Sequence, residues 1–315
     1  MISLDIKKFP GWTPKQIVLY SFAITTMGLA CHHINKPNRD FSYLEKIVIS
    51  QHKYEEVRYD KKIAVMITGM EEERHVKNFI LAYKTLKKLK FDYIYIFGDE
   101  KVTKTEISYS RDIPVRKEVE IHRNYPIYAI SEKKNIKNFF LNKLRKETSI
   151  SENDLLFIYT SGHGGVTYKH YGGRKYKVWT TSIAGNFDLL FDKDIIDYTK
   201  DIPAKDKVIF SDVCRSGSFV ERMVNAGFLA ISAGKGEEPT IESSFPQKFF
   251  TSLEKNIFGY YKGDWNNDGR MSLEEIFGYA VTNDFNSNYA YFGIGPKQNP
   301  QLRYKERDPR YVFLN

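Results

Sequence analysis

Short apolar runs recur along the chain, and each of them ends abruptly in polar residues or glycine. The runs begin at residues 62, 91, 154, 207 and 228, and they are rich in β-branched and aromatic side chains. Short continuous apolar runs of this composition are typical of buried parallel strands. Between the first two runs, residues 74–88 place apolar side chains at the spacing of an amphipathic helix. The alternation predicts an α/β fold in which helices cover both faces of a mostly parallel sheet.

The segments between these runs carry weaker signals. Residues 101–130 contain two prolines and no helical spacing, which predicts an irregular stretch with a hairpin or loops beside the substrate. Residues 135–144 and 249–258 show helical spacing, and residues 195–198 are expected to end a short helix. Residues 167–181 are rich in glycine and aromatic side chains and predict a second hairpin.

Two of the predicted strands end in residues that carry chemistry. One ends in Ser-Gly-His-Gly-Gly around His163, and the other in Asp-Val-Cys at Cys214. An isolated cysteine is more often an inert residue of the core than a nucleophile. A histidine between two glycines, however, has no neighbouring side chains along the sequence to bury it, so it is not expected to be a core residue. Cys214 follows His163 by 51 residues, enough for a crossover that returns as a neighbouring parallel strand. An imidazole beside a thiol is what thiol catalysis needs, because the base holds the sulfur as thiolate and protonates the leaving amine.

The sequences around His163 and Cys214 resemble the histidine and cysteine motifs of the caspase-like (clan CD) cysteine peptidases. Further motifs make the chain most similar to the legumain family, which includes legumain and the catalytic subunit of the GPI transamidase. The resemblance runs from about residue 62 to residue 284. It implies a caspase-like three-layer α/β/α sandwich, a peptide or protein substrate and no cofactor for catalysis. It also implies that Cys214 attacks, that His163 moves the proton, and that the backbone amides of Cys214 and Gly164 bind the oxyanion.

Four positions match residues that line the substrate pocket of legumain. They are Arg74, Asp212, Ser243 in a Glu-Ser-Ser-Phe sequence, and Asp264 in a Gly-Asp-Trp sequence. A cation and anions that face one another suit a carboxamide, which both donates and accepts hydrogen bonds. The resemblance therefore implies cleavage after Asn, or after Asp at low pH. Cleavage after Arg or Lys is the alternative if the acidic residues dominate the pocket.

The chain departs from the legumain pattern just after the first predicted strand. The family has an Asn-x-Arg-His element there, whose Asn supports the catalytic histidine. This chain keeps Arg74 and His75 but has Glu72 in place of the Asn. A carboxylate also accepts a hydrogen bond from an imidazole, so Glu72 is a candidate for orienting His163. The same departure is the best support for the alternative of a degenerate peptidase that binds peptides as a scaffold.

Residues 264–275 fit the calcium loop of an EF-hand, with Gly269 at the sharp turn. The spacing assigns the ligands to Asp264, Asn266, Asp268, the carbonyl of Arg270, Ser272 and Glu275. The metal and the substrate pocket both require Asp264, and we favour the metal. A structural Ca²⁺ is thus expected. A calcium-binding module with an unrelated fold is a further alternative, but it leaves both strand-end motifs unexplained.

The N-terminal residues have the pattern of an export signal. Lysines precede an apolar run at residues 17–30, which is too short to span a bilayer comfortably, and small residues stand just before Cys31. We therefore divide the chain into a signal or anchor (residues 1–31), a tether (32–58) and a peptidase domain (59–315). Cys31 is a candidate for lipid attachment of the bacterial type, although Gly28 replaces the usual leucine. An exported protein, secreted or anchored to a membrane, is expected, with an ordinary buried N-terminal helix as the alternative.

Charge and cysteine content argue against two further classes, nucleic-acid-binding proteins and disulfide-rich proteins. The net charge of +9 comes from Lys and Arg residues scattered along the chain, and no nucleic-acid-binding motif accompanies them. Nucleic acid is therefore not an expected partner. The two cysteines, Cys31 and Cys214, exclude a framework of disulfides. A hydrolase and a transamidase use the same Cys-His pair, so the sequence leaves that choice open.

Overall fold

A seven-stranded sheet forms the centre of the part of the chain that the structure describes. The structure is a computed structural model, and it describes residues 58–68, 73–98, 105–110, 113–118, 127–129, 133–171, 173–182, 189–235, 244–284, 300–305 and 308–315. The chain divides into residues 1–54 and residues 55–315, and every described residue belongs to the second unit. The expected boundaries at residues 31 and 58 stay predictions.

Six strands of this sheet run parallel, and a short antiparallel strand pairs at one edge. In chain order the seven are β1 (Lys62–Thr68), β2 (Tyr93–Gly98), β5 (Ile127–Ala129), β6 (Leu155–Gly162), β10 (Asp206–Val213), β11 (Phe228–Ser232) and β12 (Gln301–Arg303). Across the sheet their order is β12-β11-β10-β6-β1-β2-β5. The two strands expected to carry His163 and Cys214, β6 and β10, are therefore neighbours.

Helices cover both faces of the sheet, as the alternating pattern predicts. They are α1 (Glu73–Lys88), α2 (Lys133–Asn138), a π-helical turn (Phe139–Lys143), α3 (Leu144–Thr148), α4 (Asp192–Thr199), α5 (Gly217–Asn225), α6 (Phe245–Ser252), α7 (Leu273–Asn283) and a 3₁₀ turn (Pro309–Tyr311). Two apolar clusters lie between the layers and hold them together. One joins α1, α6 and α7 to one face of the sheet, and the other joins α2–α5 to the opposite face. The three-layer α/β/α sandwich is confirmed.

The alternation of side chains along β6 and β10 assigns residues to these two clusters. Leu155, Phe157 and Tyr159 face the α1 side, whereas Leu156 and Ile158 face the other. The fold therefore buries both faces of these strands, and the sequence reads there as a continuous apolar run.

Two hairpins lie outside the central sheet. The first joins β3 (Thr105–Ser110) to β4 (Ile113–Glu118), inside the stretch that the sequence marks as irregular. The second joins β7 (Gly164–Tyr171) to β8 (Arg174–Ser182), which also pairs with β9 (Leu189–Phe191). The second hairpin begins immediately after His163 and covers the residues 167–181 for which a hairpin is predicted.

The expected helix at residues 249–258 is wrong in its bounds, because the observed helix α6 spans Phe245–Ser252. The chain then forms a tight turn in which the Asn256 side chain accepts hydrogen bonds from the backbone amides of Phe258 and Tyr260. This local bonding competes with a helix. Gly259, in the left-handed region at φ 85°, completes the turn.

None of the helices in the described ranges is long and apolar enough to cross a bilayer.

Replacing Phe210 by alanine is expected to cost about 3–5 kcal/mol of the free energy of unfolding. Its fully buried ring packs against Tyr159, Phe245, Phe249 and Phe250 with centroid separations of 4.6–5.8 Å. Urea unfolding followed by circular dichroism measures the loss. The control is Ile257→Ala, at a side chain that is 92% exposed, which should change the free energy by less than about 0.5 kcal/mol. Equal small losses in both variants would contradict this account of the core.

Candidate active site

The parallel pairing of β6 with β10 brings the two sequence motifs to one edge of the sheet. In the register of this pair, Ser161 lies opposite Asp212 and Gly162 lies opposite Val213. The next residues along the two strands are His163 and Cys214. Cys214 is half-buried and carries a thiol rather than a disulfide, and His163 is exposed. Both functional groups therefore follow directly from the ends of adjacent strands.

Gly164 packs directly against the backbone of Cys214. A Cβ placed on Gly164 would lie 1.9 Å from the carbonyl oxygen of Cys214 and 3.0 Å from its nitrogen. No side chain fits in that space, so the glycine after His163 is required by the close approach of two backbones. The contact puts the His163–Gly164 peptide beside Cys214. The expected oxyanion role of their amides stays a prediction.

A sharp turn links β10 to the helix that follows it. Arg215 adopts φ 62°, in the left-handed region that residues other than glycine rarely occupy. The amide of Ser216 donates to the Val213 carbonyl at 3.2 Å, and α5 begins one residue later. Strained turns of this kind concentrate at functional sites. Here the turn holds Cys214 between the strand end and the start of the helix.

A buried polar network lies beneath this edge, on the face of the sheet that α1 covers. The Asp212 side chain accepts hydrogen bonds at Oδ2 from Asn78 Nδ2 (2.9 Å), the Tyr159 hydroxyl (3.3 Å) and Ser161 Oγ (3.3 Å). Ser161 Oγ also lies 3.1 Å from Nδ1 of His75. All five side chains are buried. The apolar packing of this face thus ends in a connected set of polar groups where the strands end.

The Tyr159 hydroxyl is held in its neutral form within this network. Complete burial, followed by the charge of Asp212, raises the pKa of Tyr159 well above its usual range. The hydroxyl therefore keeps its proton and donates it to the carboxylate. This satisfies part of the hydrogen-bonding capacity of a buried anion.

His75 connects the network to the catalytic candidate His163. The two imidazole rings meet edge to face, with centroids 5.9 Å apart and an interplanar angle of 76°. His75 is buried, whereas His163 is exposed. A chain of contacts therefore runs from Asp212 through Ser161 and His75 to His163.

The structure describes the side chains of only some of the other residues with expected roles. Arg74 lies in the first turn of α1, but its side chain is outside the described residues. Ser243, the possible orienting residue Glu72 and the lipidation candidate Cys31 also lie outside them. Asp212 is described and is only 4% exposed. The roles assigned to these residues stay predictions.

The loop at residues 264–275 has the backbone form that its sequence suggests. Both carboxylate oxygens of Asp264 accept backbone hydrogen bonds, one from Asp268 at 3.2 Å and one from Gly269 at 2.9 Å. Asn266 Oδ1 accepts from the Asp268 amide, and Asp268 Oδ1 accepts from the Arg270 amide, both at 2.8 Å. Asn267 and Gly269 adopt positive φ, which closes the turn.

Glu275 forms a capping box at the start of α7. Its Oε2 accepts from the backbone amide and the hydroxyl of Ser272, at 2.9 and 2.8 Å, and Ser272 Oγ accepts from the Glu275 amide. Burial, together with the charges of Asp268 and Asp264, raises the pKa of Glu275. No cluster of three or more His, Cys, Asp or Glu side chains in the described ranges is arranged to hold a metal ion.

The sequence reasoning missed the functional placement of Asn78, Tyr159 and Ser161, and treated His75 only as part of a motif. One signal was present. His75 and Asn78 are three residues apart on one face of α1, and Ser161 is two residues from Tyr159 on one face of β6. Only the packing of α1 on that face shows that these polar positions meet.

A family model described as the caspase domain (peptidase C14) matches residues 48–307, which is most of the chain. The chain belongs to the caspase domain family. That membership agrees with the three-layer sandwich and confirms the broader resemblance to caspase-like peptidases.

The solved structures that resemble this caspase-domain chain include the following two. One is the secreted C11 cysteine protease "iotapain" from Bacteroides thetaiotaomicron, with 15% identity and a TM-score of 0.33 over 59% of this chain and 54% of that one. The other is drICE, with 12% identity and a TM-score of 0.37 over 79% of this chain and 89% of that one. The chain spans about half the length of the Bacteroides protease. No curated protein sequence matches it.

Replacing Gly164 by alanine is expected to lower the free energy of unfolding by about 1–3 kcal/mol, because the added Cβ overlaps the backbone of Cys214. The control is Gly173→Asn in the β7–β8 turn. There the φ of 73° suits asparagine, and no other atom lies within 4 Å of an added Cβ. Urea unfolding of both variants tests the contact, which is refuted if the two prove equally stable.

Proposed function

We propose that this chain is a cysteine endopeptidase in which Cys214 and His163 form the catalytic pair. The observation that carries the proposal is the β6–β10 pairing, which places the two residues at adjacent strand ends with Gly164 packed on the Cys214 backbone. A nucleophile and a base at one edge of a parallel sheet match the position at which open α/β sheets hold their reactive groups.

The reaction follows from the chemistry of that pair. His163 takes the proton of the Cys214 thiol, and the thiolate attacks the carbonyl carbon of the scissile peptide bond. The N–H groups of Cys214 and Gly164 hold the negative oxygen of the tetrahedral intermediate, a contribution worth roughly 100- to 1000-fold in rate where it has been measured. The C–N bond then breaks, and His163 gives its proton to the departing amine. Water cleaves the remaining thioester and restores the thiol.

For the substrate, we propose cleavage after Asn, or after Asp at low pH, as in the legumain family. Arg74 lies in the first turn of α1, one residue before His75, and His75 reaches Ser161 and, through it, Asp212. The start of α1 therefore lies beside the end of β6, where a substrate pocket beside the catalytic pair would lie. Arg74 and Ser243 are the expected contacts of the substrate carboxamide, and the Asp212 charge contributes from below. Cleavage after Arg or Lys is the alternative if that negative charge dominates.

A fluorogenic peptide panel with Asn, Asp, Arg or Lys before the scissile bond tests activity and preference together. We expect hydrolysis after Asn that falls by at least about 1000-fold in Cys214→Ala and in His163→Ala, because each loses one half of the pair. Arg74→Ala is expected to raise KM for the Asn peptide more than it lowers kcat.

The other outcomes separate the alternatives. Preferred cleavage after Arg or Lys keeps the mechanism and rejects the mixed-charge pocket. Transfer of the acyl group to an added peptide amine as the main product, in place of the hydrolysed acid, indicates a transamidase, because the enzyme must then favour the amine over water. No cleavage by folded protein at any pH tested supports a latent zymogen or the peptide-binding scaffold.

We also propose that the loop at residues 264–275 binds a structural Ca²⁺. Its donors are carboxylate, amide and hydroxyl oxygens, the ligands that this hard cation prefers. Burial raises the pKa of Glu275, and repulsion from the Asp268 and Asp264 charges adds to the increase. A cation would offset that repulsion. The loop is also tied to the chain end, since Asn315 accepts from the Met271 amide and donates to the Gly269 carbonyl, so its role would be in stability rather than in the reaction.

Calcium is expected to raise the melting temperature by about 5 °C at saturating concentration, since binding to the folded state alone adds about 2.7 kcal/mol at a hundredfold excess over Kd. Glu275→Gln should remove most of this shift. Glu274→Gln, which changes the neighbouring carboxylate outside the ligand spacing, should retain it. Differential scanning calorimetry with calcium, magnesium or EDTA measures the effect, and equal shifts in both variants would exclude the assigned ligand.

Export and attachment through the N-terminus rest on the sequence pattern alone. We retain them as proposals: a peptidase that leaves the cytoplasm and is secreted or held at a membrane through Cys31.

A further inference from the structure

The buried network beneath the catalytic pair is costly for a fold to keep. Asp212, Asn78, Tyr159, Ser161 and His75 are each at least 95% buried. Burying an anion and several polar groups is unfavourable unless they are mutually hydrogen-bonded, and an apolar replacement of similar size is often as stable. These five side chains are buried beside the ends of β6 and β10, where His163 and Cys214 lie, so we infer that they contribute to the reaction.

The direction of the hydrogen bonds orients the His75 ring. Ser161 Oγ donates its single proton to Asp212, so it can only accept from Nδ1 of His75, 3.1 Å away. The carboxylate thus selects the His75 form that carries a proton on Nδ1. Asn78 and Tyr159 hold that carboxylate in turn by donating to the same oxygen. Each residue in this hydrogen-bonded series is therefore held in place by its neighbour.

The anchored His75 ring supports the ring of His163. The edge-to-face contact, with centroids 5.9 Å apart, lies within the range in which aromatic rings attract one another. His163 itself is exposed and is followed by Gly164, a residue without a side chain. A buried ring against one side of His163 limits the orientations that the exposed imidazole can adopt.

We propose that His75 is a positioning residue for His163, and that Asp212 orients His75 through Ser161. The inference rests on the proposed peptidase function, and it assigns to Asp212 and His75 the support of the catalytic histidine that the sequence suggested for Glu72. Its consequence is specific. Loss of the hydrogen bonds that link Asp212, Ser161 and His75 displaces the base, His163, without removing it. The rate of the chemical step therefore falls while substrate binding persists.

The test uses His75→Ala, Ser161→Ala and the double variant in the full chain. His75→Ala should lower kcat by about 100-fold, the size expected from a small displacement of a catalytic group, with KM changed less than about twofold. Ser161→Ala should lower kcat by about tenfold. The double variant should be no slower than His75→Ala, because the serine acts through the histidine. His75→Asn, whose amide can still donate to Ser161, should lie between wild type and His75→Ala.

Thr160→Val provides the matched control. Thr160 is the neighbour of Ser161 in β6, is equally buried, and donates a hydrogen bond from its hydroxyl to Ser211 at 2.9 Å, outside the chain to His75. Its loss should lower stability without changing kcat. Melting temperatures of all variants identify effects that come from unfolding.

A second readout does not depend on knowing the substrate. The rate of iodoacetamide alkylation at Cys214, followed by peptide mass spectrometry to separate it from Cys31, reports the thiolate that His163 maintains. His163→Ala should slow this alkylation strongly, and His75→Ala and Ser161→Ala should slow it in the same order as they lower kcat.

The outcomes keep the two proposals apart. If His163→Ala slows alkylation and His75→Ala does not, the positioning role is refuted while the catalytic pair stands. If His75→Ala raises KM and leaves kcat unchanged, His75 belongs to the substrate pocket. If His163→Ala leaves alkylation unchanged, both proposals fail. If wild type cleaves no peptide but alkylation still depends on His163 and His75, the positioning role is supported and the peptidase proposal fails.

Discussion

The side-by-side pairing of β6 and β10 is the constraint on which the candidate site depends. Parallel strands end at the same edge of a sheet, so a register in which Ser161 faces Asp212 carries His163 and Cys214 to neighbouring positions. The backbone of Gly164 then closes on that of Cys214 with no room for a side chain. A shift of this register by one residue would turn every following side chain to the opposite face. Such a shift would turn Ser161 and Asp212 away from His75 and Asn78, so their buried hydrogen bonds make it unfavourable.

The two faces of the sheet carry different sets of side chains near this edge. On the α1 side, the aromatic packing of Phe210 and Tyr159 gives way to Ser161 and Asp212 over the last residues of the strands. The polar residues His75 and Asn78 of α1 meet them there. The opposite face carries the buried side chains of Ile67 and Val213, and the buried hydroxyls of Thr160 and Ser211 hydrogen-bond to each other there at 2.9 Å. Helix α1 therefore contributes both to the core and to the support of the site.

The C-terminal residues connect the loop at residues 264–275 to the rest of the domain. Leu273 donates to the Val312 carbonyl and Leu314 donates to the Met271 carbonyl, so the chain end runs along the loop. Arg270 stacks on the ring of Phe313 at 3.7 Å, and Lys62 at the start of β1 donates to the Leu314 carbonyl. An ordered loop thus stabilises the packing of α7 and of the chain end.

The sequence by itself determined the layer architecture, the strands that end at His163 and Cys214, and the broader caspase-like family, because each depends on local periodicity or on a contiguous motif; the legumain family stays a prediction. It also located the helix α1 and the turn-forming residues of the 264–275 loop. It misplaced the end of α6, where the Asn256 side chain bonds to the backbone in place of a helical turn. Only the tertiary structure decided that Asp212 is buried and that Ser161 links it to His75. These residues are distant in sequence, since His75 and Ser161 are 86 positions apart, and their hydrogen bonds exist only because α1 packs across the ends of β6 and β10.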